Sequence, residues 1–275
     1  MTATFRLPYH QRRRDTALLS ATELQVRGRH KDLLPATTLQ VPPGTLLLAQ
    51  ADGQATRTTL ALTLAGRMKP SSGAASWGRD PDIAHLRRHT ALLDAPNVNE
   101  PERHLSVKDL VAEDLALVPR KFRNRTRPAA WLARHGYSDL ADKWVEELEP
   151  GRRLALLVDL ALADADVDVL VVDSPDRHTD DAQDWLPLLQ RLADGNGKDG
   201  GDDDGGRRLT VVATVGSVPG CWEGTVAHVG AQPGAAEPEP VAHVGPTTLV
   251  TDARAVVVGP TTKPLEQTEE PQETR

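Results

Sequence analysis

The chain has 275 residues, enough to bury one sizeable core, or a core with a small helical subdomain and a tail. Aromatic residues make up only 3% of it, so Leu, Val and Ala must fill that core, and the net charge of −7 argues against a broad nucleic-acid surface. A single cysteine, Cys221, excludes an internal disulfide and fits a reducing, cytoplasmic compartment.

Residues 1–18 read as an N-terminal arm. The arginines at Arg12–Arg14 are followed only by the short apolar patch Ala17–Leu19, not by the h-region of about 7–15 residues of a signal peptide. Leu46–Leu60 (LLLAQADGQATRTTL) is an apolar strand running through a loop into a helix start, where a phosphate-binding loop would read GxxxxGK[ST]. Such a loop needs glycines that turn backbone N–H groups onto the phosphates, a lysine for the terminal phosphates and a hydroxyl for Mg²⁺. Ala51 and Thr56 hold the two glycine positions, Arg57 the lysine position, and Thr58 keeps the hydroxyl. Taken alone, this segment reads better as an ordinary strand-loop-helix with a Thr-rich start.

Further along, apolar residues at helical spacing predict helices over Leu105–Leu117, Pro128–His135, Asp139–Leu148, Leu154–Ala163 and Gln183–Ala193. Apolar runs at Val169–Asp173 and Leu209–Thr214 predict strands, and their alternation with helices implies a largely parallel sheet. No apolar stretch approaches the roughly 20 residues of a membrane span. Gly195–Gly206 (GNGKDGGDDDGG) is too polar and glycine-rich to pack and reads as a flexible insertion. Residues 231–275 read as a low-complexity tail. Val226–Gly230 is echoed at Val241–Gly245, which suggests short β-segments of a terminal hairpin.

Several of these landmarks together resemble an ATP-binding cassette (ABC) nucleotide-binding domain over about residues 19–230. Leu60–Gly66 followed by Pro70 and Gly73 is similar to that family's first helix, its LAG ending and the P-x-x-G turn. Leu148, Glu149, Pro150, Gly151 and Arg152 stand where the LSGGQ signature belongs, and Val169–Asp173 resembles a Walker B strand. The resemblance implies an α/β P-loop NTPase fold with an antiparallel β subdomain, a mostly parallel sheet flanked by helices, and a helical subdomain over about 102–150.

It also implies site residues: Ala51, Asp52, Gly53, Gln54, Ala55, Thr56, Arg57, Thr58 and Thr59 for ATP, with Thr58 and Asp173 for Mg²⁺. Against the family's pattern, no aromatic lies near Gly28 to stack on adenine, and Asp94 or Ala95 replaces the Q-loop glutamine. Ser174 replaces the catalytic glutamate, whose general-base assistance is worth roughly 10²–10⁴-fold, and Val215 replaces the switch histidine. A non-glycine at Thr56 predicts strain of about 1 kcal/mol if that position needs positive φ. Glu149 would oppose the γ-phosphate held by a dimer partner. Ser174, Asp173, Asp176 and His178 hold the residue types of a nucleophile triad, but without a nucleophile elbow they read as a loop.

These substitutions predict a cassette subunit or regulator, associated through a membrane-spanning permease, with weak nucleotide binding and little or no hydrolysis, as a homodimer or heterodimer and without nucleic acid. Two alternatives stay open: a slow but functional ATPase subunit of an exporter, and a scaffold that binds neither nucleotide nor permease.

Overall fold

The computed structural model describes residues 17–123, 126–195, 208–229 and 256–257. The insertion expected at 195–206, the second echo at Val241–Gly245 and most of the tail lie outside the described residues beyond Gly195.

Strands β1 (Leu19–Arg27), β2 (Asp32–Val41) and β4 (Ser72–Trp77) form a three-stranded antiparallel sheet with β1 in the middle. The second sheet takes β3 (Leu46–Ala51), β5 (Thr90–Leu93), β6 (Val169–Asp173), β7 (Thr210–Val215), β8 (Thr225–Val229) and β9 (Val256–Val257) in the order β5-β6-β7-β3-β8-β9. Every pair in it is parallel. The α/β class expected from the alternating pattern is therefore the one observed.

Both faces of the parallel sheet are buried, as crossover helices require. Alternation along the strands sorts side chains between two cores. Leu46, Leu48, Leu170, Val172, Val211 and Ala213 face a cluster shared with α3 (Val107–Leu117), α4 (Pro128–His135), α5 (Pro150–Ala161) and α6 (Leu186–Asp194). Leu47, Ala49, Val169, Val171 and Val212 face the other cluster, with Leu60, Ala61 and Leu64 of α1 (Gln54–Leu64) and the apolar side of the antiparallel sheet. A short helix, α2 (Ile83–His89), leads into β5.

Two elements differ from expectation. The helix expected over Asp139–Leu148 is replaced by two 3₁₀ turns, Ser138–Leu140 and Val145–Glu147. Backbone bonds to the entry of α3 take over there: Val107 N donates to Lys143 O and Val145 N to Leu105 O. Helix α6 begins three residues later than Gln183, because the side chains of Thr179 and Asp181 fold the preceding segment into a turn and Pro187 suits the first helical turn. Residues 226–229 lie in β8, parallel to both β3 and β9, and the other arm of the expected hairpin, 241–245, lies outside the described residues.

Burial sets the expected mutational response. Leu48 has no exposed surface and Leu117 is 80% exposed. In urea denaturation, Leu48→Ala should lose about 2–5 kcal/mol, whereas Leu117→Ala should stay within about 0.5 kcal/mol. Equal losses at the two positions would contradict this placement of the core.

Candidate functional site

The C-terminal ends of β3 and β6 and the start of α1 meet where the phosphate loop is expected. The connection is short. Strand β3 ends at Ala51 and α1 begins at Gln54, leaving Asp52 and Gly53 between them. Gly53 takes φ 76° and ψ 132°, a conformation open to glycine. The sequence puts the need for positive φ at Thr56; the structure puts it at Gly53 and leaves Thr56 within the first helical turn, free of that strain. The amides of Thr56 and Arg57 both donate to Gly53 O, at 3.2 and 3.3 Å. Those N–H groups are thus spent on the helix rather than turned toward a ligand.

The side chains around this turn form one network. Asp173 is fully buried at the end of β6. Its Oδ1 accepts from Gln54 Nε2 at 3.0 Å, Ser174 Oγ at 2.9 Å and Thr214 Oγ1 at 3.0 Å. Gln54 Nε2 also donates to Thr58 Oγ1 and to Ser174 Oγ, each at 3.0 Å. Arg57 donates from Nε to Ser174 Oγ at 2.9 Å, from Nη1 to Ala51 O at 3.0 Å, and from Nη2 to Gln54 Oε1 at 3.0 Å. Thr59 is buried along α1 and donates to Ala55 O, while Asp52 is exposed. Asp173 Oδ2 and Asp176 Oδ1 are buried without a hydrogen-bond partner.

Thr58 and Asp173, the pair read as magnesium ligands, are therefore brought together, but around the Gln54 amide nitrogen. A divalent ion does not fit between them as the side chains stand. Ser174, in left-handed conformation at φ 52°, donates one bond and accepts two, which exhausts a hydroxyl. It is wholly buried, so the position after Asp173 offers neither a carboxylate nor an accessible nucleophile. The triad residue types do not assemble, because His178 turns away from Ser174 toward Asp94. Val215 is buried within β7.

The signature positions stand apart: among the described residues no hydrogen bond or ion pair joins 148–152 to 51–59. Leu148 is buried, Glu149 is exposed ahead of α5, and Pro150 occupies its first turn. A Cβ at Gly151 would lie 2.8 Å from Asp184 O, so the close approach of the Ala182–Asp184 turn requires glycine here. Arg152 forks onto Asp139 at 3.0 and 3.1 Å.

A second polar cluster was only half visible in the sequence. Asp94, in the Q-loop position at φ 60°, is buried beneath Arg153, Arg177 and His178. Arg153 bonds both carboxylate oxygens, one of them at 2.7 Å; His178 Nε2 lies 2.7 Å from Oδ2, and Arg177 Nη2 lies 3.2 Å from Oδ1. Arg177 also reaches Glu100 at 3.2 Å. A carboxylate replacing a neutral glutamine in a buried turn demands a cation, and that was the signal available for matching Asp94 to Arg153. Asp94, Glu100 and His178 lie close enough to hold a metal, but two guanidinium groups already take their oxygens.

No protein-family model and no curated protein sequence matches this chain. Solved structures do. A metal-chelate type ABC transporter in an inward-facing conformation matches at 19% identity and a TM-score of 0.51, over 73% of this chain and 74% of that one. The cbiO1 protein of Clostridium perfringens, part of the ABC transporter complex cbiONQ, matches at 19% identity and a TM-score of 0.50, over 72% of this chain and 78% of that one. The fold is that of an ABC ATPase domain, as the sequence motifs suggested. Among the described residues no helix is long and apolar enough to cross a membrane.

Burial pushes the Asp94 carboxyl up, but hydrogen bonds from Arg153 and His178, and their charges, outweigh it and hold the group at about 2. A depressed carboxyl contributes stability above its unfolded value near 4 that is lost as pH falls toward 2, here about 2 kcal/mol. Asp94→Asn should remove that acid-sensitive component and destabilise the chain near neutral pH. Urea midpoints measured between pH 2 and 7 check both effects; identical pH profiles for the variant and the wild type would contradict the cluster.

Proposed function

We propose that this chain is a cassette-fold subunit or regulator of a membrane-spanning transport protein, in which nucleotide contacts are weakened and hydrolysis is lost. The observation that carries this reading is Ser174: it stands where a general base must orient water, yet it is buried and its hydroxyl is fully bonded inside the protein. The shortened loop and the Gln54 amide between Thr58 and Asp173 support the weakening of nucleotide and Mg²⁺ contacts.

Support for a partner comes from a groove of about 620 Å³ between the β5–α3 connection and the helical layer of α3 and α5. Its floor includes Leu93, Leu110 and Leu157, and Val98 and Leu117 at its edge are 55% and 80% exposed. Glu100, Glu102, Glu113 and Asp114 make part of its lining acidic. Burial, with the neighbouring charge of Glu113, pushes the Asp114 carboxyl up, a tension that a cationic partner relieves. An apolar segment flanked by Lys or Arg, such as a cytosolic loop helix of a permease, fits that chemistry. Both matched structures are described as parts of ABC transporters, which agrees with such a partner.

A slow ATPase remains the second reading, favoured by the convergence of Thr58 and Asp173 on one point. Turnover separates the two. The purified chain should show no ATPase activity that Asp173→Asn or Arg57→Ala removes, and a marked drop in either variant would establish chemistry at this site. The tagged chain should also co-purify from detergent-solubilised membranes with one polytopic protein, and the double variant Val98→Glu, Leu117→Glu should lose it at least tenfold. Undiminished recovery by that variant would exclude the groove.

A further inference from the structure

We infer that Gln54 and Arg57 act together as an internal substitute for a divalent cation, closing the space between Thr58 and Asp173 to a metal–nucleotide complex. The inference rests on the proposed reading of residues 51–59 and Asp173 as a former nucleotide site and names the residues that shut it.

Gln54 Nε2 lies 3.0 Å from each of three oxygens, Thr58 Oγ1, Asp173 Oδ1 and Ser174 Oγ. A carboxamide has two protons to offer, so three acceptors share them, grouped about the nitrogen as ligands group about a cation. The orientation of the amide is fixed by its partners. Arg57 Nη2 donates to Oε1, and a flipped carboxamide would set its oxygen against the Asp173 carboxylate. Arg57 is in turn anchored on Ala51 O and Ser174 Oγ. Its positive charge thus reaches the buried Asp173 through one serine hydroxyl and one amide.

An ion would have to undo this arrangement. Mg²⁺ binds oxygen at about 2.0–2.1 Å, so an ion at the amide position would draw three oxygens inward by about 1 Å and expel the carboxamide. Arg57 would lose its Gln54 acceptor and face a second cation. The amides of Thr56 and Arg57, already committed to Gly53 O, give a bound phosphate nothing in return.

The test uses the full-length chain and its melting temperature in EDTA, in millimolar MnCl₂ and in millimolar MgATP. The wild type should melt at one temperature in all three. Gln54→Glu keeps the side-chain shape but replaces the amide donor with a carboxylate facing Asp173. It should melt several degrees lower in EDTA and recover in MnCl₂, because the oxygens then need a metal. A wild-type rise of more than about 2 °C with MnCl₂ or MgATP overturns the inference, as does a Gln54→Glu variant as stable as the wild type in EDTA. Should Gln54→Glu fail to fold, Mn²⁺ binding followed by electron paramagnetic resonance decides with Gln54→Ala: at least tenfold tighter binding than wild type supports the substitution, and equal binding overturns it. Wild-type MgATP binding without turnover would sink this inference and leave the permease-subunit reading standing, whereas Asp173-dependent turnover would sink both. Co-purification with a membrane protein bears on the partner alone.

Discussion

The buried carboxylate of Asp173 is the constraint around which the rest of the site is organised. It ends β6, a strand flanked by β5 and β7 and covered on both faces, so water cannot reach it in quantity. A charge in such a place must be paired and hydrogen-bonded, or the fold loses several kcal/mol. Three elements answer that demand at Oδ1, Thr214 from β7, Ser174 from the turn after β6 and Gln54 from α1, with Arg57 reaching it through Ser174, while Oδ2 has no partner. The first turn of α1 is consequently tied to the sheet by side chains, and the two-residue connection at Asp52 and Gly53 is as short as that tie requires.

The same chain segment carries the constraint outward. Three residues beyond Ser174, Arg177 and then His178 enter the cluster around Asp94, which also receives Arg153 from α5 and, through Arg177, Glu100. Three loops that apolar packing would hold only loosely are thus pinned to one another by a buried ion cluster. Such clusters contribute less net stability than their contacts suggest, but losing one partner strands the others, so they fix a single arrangement. That arrangement includes the wall of the acidic groove, since Asp94 and Glu100 line it. A partner seated there would touch a charge network that ends three residues from Ser174.

What the sequence disclosed and what it hid follow from the kinds of force involved. The strands at Leu46–Ala49 and Val169–Val172 were legible as unbroken apolar runs because both faces of the sheet are buried, one in each core. Pro128 and Gly136 bracketed α4 by backbone chemistry alone. The segment 139–148 misled because its apolar spacing suits a helix, yet its backbone groups bond across to residues 105–107. In the site, positions were readable one at a time, so the serine at 174, where the resembled family carries glutamate, was evident. The tie between Gln54, Arg57 and Asp173 was not, for it joins residues more than a hundred positions apart through rotamers that no local pattern encodes.

The fold and the polar site are carried by different interactions. The sheet is held by apolar side chains, and Val215 is one of them, fully buried in the core shared with the helical layer. Buried polar positions are another matter: a carboxylate such as Asp173 needs hydrogen-bond or charge partners wherever it stands. The chain meets that need at Asp173 through Oδ1, which accepts from Gln54, Ser174 and Thr214. Keeping Asp173 retains the geometry of the β6 turn, and with it the path through Ser174 and Arg177 to the groove wall. That path joins the turn after β6 to the groove wall through hydrogen-bonded and charged side chains, so the geometry of one depends on that of the other.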